Sequence, residues 1–446
     1  MATLDSSIVN IALPVISKEL FINISSVQWV VTSYLLTISV LLLIWGKISD
    51  LYGRKRIFAA GFIVFTVGSI LCGLSNSLGM LVFSRVLQAI GASSMMALSQ
   101  GIVTGTFPPN ERGKALGITG TTVAIGSLVG PSLGGILVHT SGWQSIFFIN
   151  IPVGILGTIL TFAIIPEVEK KPDSKAFDFK GASMFVPSLI LLFTGLLLFQ
   201  EGAIGVYHLI PAILVSVVVL YLFARYESRI EQPLINLSLF KSPVFSLGIA
   251  SGYLSFIAIY ATILFMPFYL QNVLNLSSLT AGLLMSFYPA ATAIVAPVSG
   301  WLSDKITFRP LTIAGLLIST IILFILSTLN ATSSFSHIAV LMSLMGAGMA
   351  LFQSPNTSSI MGSVPRNQLG IAGGINALFR NLGMVSGITI SVILFNLATR
   401  ININNLSGNN TTIDPVLFLK GFKVVFITAG LVCLCASVFN FKRSRH

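Results

Sequence analysis

Charge is what this chain of 446 residues has least of: Asp, Glu, Lys and Arg make up 9% of it, where a soluble globular domain carries about 25%. Only 13 residues are acidic, and there are four histidines and three cysteines. Cys72, Cys433 and Cys435 all fall inside apolar stretches, where they read as small packing residues and give no disulfide or metal framework. His139, His208 and His337 lack ligand spacing, no phosphate-binding Gly-rich loop with its lysine is present, and no nucleophile stands beside a base. The expectation is a protein that is not an enzyme and that needs no metal or cofactor. A formal net charge of +12 suggests nucleic acid, yet the basic residues are scattered among short polar segments without an aromatic surface. No nucleic-acid partner is expected.

What the chain has is hydrocarbon. Hydrophobic residues make up 54% of it, and stretches of about 20 apolar residues recur, each long enough to span a bilayer as a helix. They lie near 3-22, 27-46, 57-76, 79-104, 114-138, 146-165, 181-200, 208-224, 244-270, 280-299, 311-329, 337-360, 369-398 and 420-441, which makes fourteen. A secretory signal would give way to a polar chain, whereas here the first apolar stretch is followed by more of the same kind. The expected fold is all-α and integral to the lipid bilayer. Spans joined by short loops alternate in direction, so the loops sort into two sets. One set, with the C-terminal tail, holds 19 of the lysines and arginines, and the other holds four: Lys18, Arg400, Lys420 and Lys423. The richer set belongs in the cytoplasm by the positive-inside rule, with both termini.

Two polar interruptions divide the chain, one from Pro166 to Lys180 and one from Arg225 to Lys241. Six spans precede them, six follow, and a hairpin of two lies between. The expected organisation is residues 1-165 and 244-446 as six-helix bundles, with 166-243 as cytoplasmic linkers around an inserted hairpin at about 181-224. An internal repeat supports it: Gly46-Lys-Ile-Ser-Asp50 returns as Gly300-Trp-Leu-Ser-Asp304, and Pro109-Asn110 returns as Pro365-Arg366-Asn367, at offsets of 254 and 256 residues. Parallel halves of this kind build some secondary transporters, with the substrate between them near mid-membrane.

Four motifs carry a resemblance. Gly46-Lys-Ile-Ser-Asp50-Leu-Tyr-Gly53-Arg54-Lys55-Arg56 resembles the loop signature G-x-L-a-D-r-x-G-r-k of the major facilitator superfamily. Its glycines suit a tight turn, and Asp50 can cap a helix or pair with an arginine, so the loop reads either as a latch between bundles or as an ordinary basic loop. The second copy keeps Asp304 but has Phe308 where a glycine-arginine pair is expected, which predicts an asymmetric latch. Arg85-Val-Leu-Gln88-Ala-Ile-Gly91 resembles the family's R-x-x-Q-G-x-G pattern, and Gly126-Ser-Leu-Val-Gly130-Pro131-Ser-Leu-Gly134-Gly135 is similar to its antiporter signature G-x-x-x-G-P-x-x-G-G. Leu4-Asp5-Ser-Ser-Ile-Val-Asn10-Ile-Ala-Leu-Pro14, with Trp143 through Phe147-Phe148-Ile149-Asn150-Ile-Pro152, resembles the fourteen-span drug:proton antiporters of the quaternary-ammonium-resistance type.

The resemblance implies a monomer in the bacterial plasma membrane that exports lipophilic, cationic or zwitterionic drugs and dyes against protons. The alternative is an exporter of one physiological metabolite or lipid precursor. Burial in a low-dielectric bundle opposes the charged form of a carboxyl group, so Asp5 is the candidate proton carrier, with Arg85 tied to proton coupling by the family pattern. Glu19, Glu201 and Asp414 fall toward the outer side, and the other acids fall in cytoplasmic loops. Only four residues precede Asp5, where the family has about three more helical turns, so a short first span or an upstream start is expected; a helix cap at the cytoplasmic surface is the other reading. Arg85 could likewise snorkel from the outer end of its span. Asn376 and Arg380 are four apart and share a helix face, and Arg380 calls for an interior partner. Candidate cavity groups are Asn10, Gln28, Ser33, Tyr34, Gln88, Gln100, Gln353, Asn356, Asn376 and Arg380, with Tyr260, Phe265 and Tyr288 as aromatic surfaces.

Overall fold

In hydrocarbon a backbone has only itself to bond to, which leaves helices or a closed barrel, and unbroken apolar runs of about 20 residues suit helices. A computed structural model describes residues 1–22, 24–166, 177–200, 202–400 and 415–443; those residues form helices joined by turns and short irregular segments, with no strand among them. The long helices are α1 (Ala2–Glu19), α2 (Trp29–Tyr52), α3 (Arg54–Gly73), α4 (Leu78–Thr106), α5 (Arg112–Ser141), α6 (Ser145–Ile164) and α7 (Phe179–Gln200). They continue as α8 (Val206–Glu227), α9 (Pro243–Phe268), α10 (Ser278–Lys305), α11 (Phe308–Leu326), α12 (Phe335–Gly362), α13 (Leu369–Thr399) and α14 (Pro415–Lys442). Thirteen of the fourteen are long and apolar enough to cross a membrane. The exception, α1, carries Asp5, Lys18 and Glu19 within 18 residues. Glu201, Asp414 and most of the polar segment after Pro166 lie outside the described residues.

Local chemistry sets several boundaries. Ser77, Ser277 and Ser334 each accept a backbone N–H of the first turn of α4, α10 and α12 through their side chains, as N-caps do. The expected loop after residue 46 is instead helix: α2 runs on to Tyr52 and stops at Gly53, whose φ of 97° is open to glycine and strained for other residues. Gly46 therefore serves a close approach and not a turn. A Cβ there would lie 2.6 Å from the carbonyl oxygen of Gly370 on α13.

The helix pairings repeat. In the first half α1 packs on α5, α2 on α4, α3 on α4, and α3 on α6; in the second half α9 packs on α13, α10 on α12, α11 on α12, and α11 on α14. Each second pair is the first displaced by eight helices, the structural counterpart of the sequence repeat. Between the halves α2 lies along α13, and its counterpart α10 lies along α5. Helices α7 and α8 pack on each other, and α7 rests in the seam between α2 and α13. There Gln200 Nε2 donates to the Val385 carbonyl at 2.9 Å and to Thr389 Oγ1 at 2.8 Å. At the end rich in lysine and arginine, Lys47 on α2 donates to the carbonyl of Pro233.

Candidate functional site

Five helices converge on one carboxylate. Asp5, one turn into α1, is 1% exposed. Its Oδ2 accepts from Arg85 Nη1 at 2.7 Å, and its Oδ1 accepts from Gln88 Nε2 at 3.0 Å and from Asn150 Nδ2 at 2.8 Å. Arg85, fully buried, also donates through Nε to the Val30 carbonyl at 3.0 Å, and its guanidinium lies 3.9 Å from the ring centre of Tyr34. Gln88 turns its amide to Ser69 as well, at 2.8 Å. Arg85 thus reaches inward to an ion pair and does not snorkel, and Asp5 is no surface cap. Tyr34 and Gln88, expected as cavity groups, belong to this cluster instead, because Arg85 needs a ring face and Asp5 a second donor once water is gone.

Desolvating such a pair costs several kcal/mol per ion, which Coulombic attraction repays only with good geometry and further hydrogen bonds. The site supplies both.

The glycine string of α5 lies against the same turn of α1. A Cβ on Gly126 would meet Leu4, one on Gly130 would sit 2.5 Å from Ser7 Cβ, and one on Gly134 would sit 3.0 Å from Ile8 Cγ2; Gly135 faces open space. Small residues four apart therefore let α5 approach the helix that carries Asp5. Helix α5 runs through Pro131, which is exposed on its far side.

At the basic end two further carboxylates reach between the halves. Asp50 on α2 accepts from the backbone N–H of Gly370 and Ile371 at 2.9 and 2.8 Å, the second and third residues of α13, and pairs with Arg54 at 3.1 Å. Arg54 in turn donates to the Arg366 carbonyl. Asp304 on α10 accepts from Gly113 and Lys114 at 2.8 and 2.9 Å, the second and third residues of α5, and among the described residues no arginine pairs with it. Each aspartate satisfies helix-terminal donors and faces the positive end of a helix dipole. Asp50 caps a helix of the other half and not the next helix in sequence.

Two cavities hold the other polar groups. One, enclosed by α4, α9, α12 and α13, has a free volume of about 40 Å³ and is lined by Gln100, Tyr253, Phe256, Gln353, Asn356, Asn376, Phe379 and Arg380, among others. Asn376 Nδ2 donates across it to Gln100 Oε1 at 2.8 Å. The second, of about 260 Å³, lies toward the opposite end from the basic face, lined by Asn10, Leu13, Gln28, Val31, Thr32 and Leu35 with Leu197 and Gln200 of α7. None of these lining residues is acidic. Pockets that take drug-sized molecules measure about 300–1,000 Å³, so in this state, closed at the basic end, the central cavity is too narrow for cargo. Phe265 lines neither cavity: fully buried, it packs on Phe395 with ring centres 5.0 Å apart. Tyr260 and Tyr288 are outside the cavity walls too; Tyr260 neighbours Arg380.

The sequence matches the Major Facilitator Superfamily over residues 1–388. The chain belongs to that family. It is a transporter, not an enzyme, and a multi-pass membrane protein. This major facilitator protein is 39% identical to the riboflavin transporter RibZ of Clostridioides difficile (strain 630), over 87% of this chain and 84% of that protein. It is 34% identical to the multidrug resistance protein Stp of Mycobacterium tuberculosis (strain CDC 1551 / Oshkosh), over 87% of this chain and 72% of that one. The solved structure of the proton:xylose symporter XylE superposes with a TM-score of 0.68 at 15% identity, covering 99% of this chain and 94% of that one, which shows the fold alone. Sequence reasoning about this transporter missed Asn150, Ser69, Tyr253, Phe256 and Phe379 as site residues. Only Asn150 left a signal, as the one polar residue amid the apolar run Phe147-Phe148-Ile149-Asn150-Ile151.

Proposed function

We propose that this protein is a proton-coupled antiporter of the fourteen-span drug:proton type, exporting drug-like aromatic molecules across the inner membrane of a bacterium. Residues 1-165 and 244-446 act as two six-helix bundles that rock about the central cavity, residues 166-243 supply the linkers and inserted hairpin, and both termini face the cytoplasm. A monomer suffices, since one chain walls the central cavity, with Gln100 from the first bundle and the other lining residues from the second. Asp50 and Asp304 latch the cytoplasmic end while Asp5 is ionised and bound to Arg85. Protonation of Asp5 frees Arg85, loosens the junction of α1 with α4 and α5, and lets the bundles part on the cytoplasmic side. Cargo then enters, the proton leaves inward, and the cycle reverses.

The observation that carries this reading is the single buried carboxylate on α1, held by donors from α4 and α6 and pressed by the glycine string of α5. The likeness to Stp supports the drug class. Inside-out vesicles with an imposed pH gradient test it: dye should accumulate when the lumen is acid, stop when the gradient collapses, and fail with Asp5→Asn. Transport indifferent to both manipulations rejects the coupling.

A second reading, export of one flat heterocyclic metabolite, is favoured by the likeness to the riboflavin transporter. Saturable transport of riboflavin alone, with no movement of any xanthene or phenanthridinium dye, would establish it over the first.

A further inference from the structure

Among the described residues three arginines sit inside the helical body, and the chain gives strong partners to two of them. Arg85 has the Asp5 carboxylate. Arg443 is surrounded by acceptors: Asn356 Oδ1 at 2.7 Å, Asn440 Oδ1 at 3.0 Å, Ser359 Oγ at 2.6 Å and the Val244 carbonyl at 2.8 Å. Arg380 has neither. It lies eleven residues into α13, about 16 Å along the helix, in the wall of the central cavity. Among the described residues no hydrogen bond or ion pair reaches its guanidinium, and its ionisable neighbours are the uncharged phenols of Tyr260 and Tyr253. A cation in a membrane helix is costly unless it meets a partner. Here the space in front of it is the cavity.

The rest of that wall offers donors. Gln100 spends its carbonyl oxygen on Asn376 while its N–H₂ has no partner among the described residues, and Gln353 contributes a second amide. Tyr253 and Phe379, with ring centres 6.3 Å apart at 87°, form an aromatic corner beside Arg380. We infer that the cavity selects flat aromatic cargo carrying an anionic or acceptor-rich edge, such as a carboxylate, phenolate or imide, which Arg380 binds. This deepens the export reading and rests on it, and it replaces the expectation of a cationic drug. A cation would be repelled by Arg380 and would find no carboxylate on the wall.

Fluorescein and rhodamine 123 share one xanthene ring and carry opposite charge, so their binding to purified protein, read by fluorescence anisotropy, isolates the charge. Wild type should bind fluorescein more tightly than rhodamine 123. Arg380→Gln should weaken fluorescein about ten-fold or more, the scale of a lost charge-assisted hydrogen bond, while rhodamine 123 holds or tightens. Arg380→Lys should keep the order of the two dyes, which shows that charge and not folding is being read. Tighter binding of rhodamine 123 by wild type, an equal loss of both dyes in Arg380→Gln, or no fluorescein binding overturns the inference. Asp5→Asn separates the two readings: fluorescein binding should persist while gradient-driven movement stops. If the dye preference holds but wild type shows no proton-driven flux, the coupling falls and the charge selection stands.

Discussion

Asp50 and Asp304 do the same thing in opposite directions. Each sits near the end of the second helix of its half, and each accepts the N–H groups of the second and third residues of a helix in the other half, Gly370 and Ile371 for one and Gly113 and Lys114 for the other. The fold thereby closes its basic end with two crossed caps. Among the described residues only one has an arginine: Arg54 pairs with Asp50 and reaches the Arg366 carbonyl, whereas Phe308 stands at the matching sequence position after Asp304. Losing a capping side chain costs about 0.5–2 kcal/mol.

Asp50→Ala and Asp304→Ala should each shift the protein away from the state closed at the basic end, Asp50→Ala by more. Spin labels placed on α2 and α13 for one cap, and on α5 and α10 for the other, would read the widening. The two sites share no partner, so the double variant should be near the sum of the singles. An equal effect of both, or none, would refute the crossed-cap account.

The Asp5–Arg85 pair predicts a separation of stability from coupling. Removing one member of a buried pair leaves an uncompensated charge, at about 3–5 kcal/mol. Arg85→Gln, which strips Asp5 of its cation, should lower the thermal midpoint in detergent strongly. Asp5→Asn/Arg85→Gln should recover much of that loss, since four neutral amides can bond one another. Gradient-driven transport should be absent in both. Recovery of transport along with stability would show the pair to be structural only.

The glycine string predicts position-dependent damage. A methyl at Gly130 would collide with Ser7 Cβ, whereas one at Gly135 would meet nothing. Overpacking costs about 1–3 kcal/mol, so Gly130→Ala should lower the thermal midpoint and slow transport by holding α5 off the turn that carries Asp5. Gly135→Ala should leave both unchanged, although both glycines belong to one sequence motif.

The helices were legible because lipid forces every span to declare itself as a long apolar run, and the repeat was legible because Asp50 and Asp304 stand in similar strings. Asp5 and Arg85 stood out for the cost of charge in hydrocarbon, although nothing in their spacing tied them to Asn150. The reach of Asp50 was hidden: its partners Gly370 and Ile371 are more than 300 residues away and contribute only backbone. Loops shorter than expected, as where α2 continues past Gly46 to Tyr52, follow from helices that extend beyond the hydrocarbon. Aromatic placement was the least legible, because membrane helices are apolar on all sides and periodicity does not distinguish a face toward lipid, core or cavity.

Phe265 and Gln353 turn that distinction into a measurement. Phe265 is fully buried against Phe395, so Phe265→Ala opens a hole in the core of the second half at about 3–5 kcal/mol. It should depress the thermal midpoint and leave the relative affinity for fluorescein and rhodamine 123 as in wild type. Gln353 lines the central cavity beside Arg380, so Gln353→Ala should do the reverse: a small change in midpoint and a several-fold weaker affinity for fluorescein, as one donor is lost to an acceptor edge. The two variants sit on neighbouring parts of one bundle, so any difference between them reports which surface each residue faces. If Phe265→Ala alters dye preference at unchanged stability, the aromatic belongs to the cargo site after all and the core assignment is wrong.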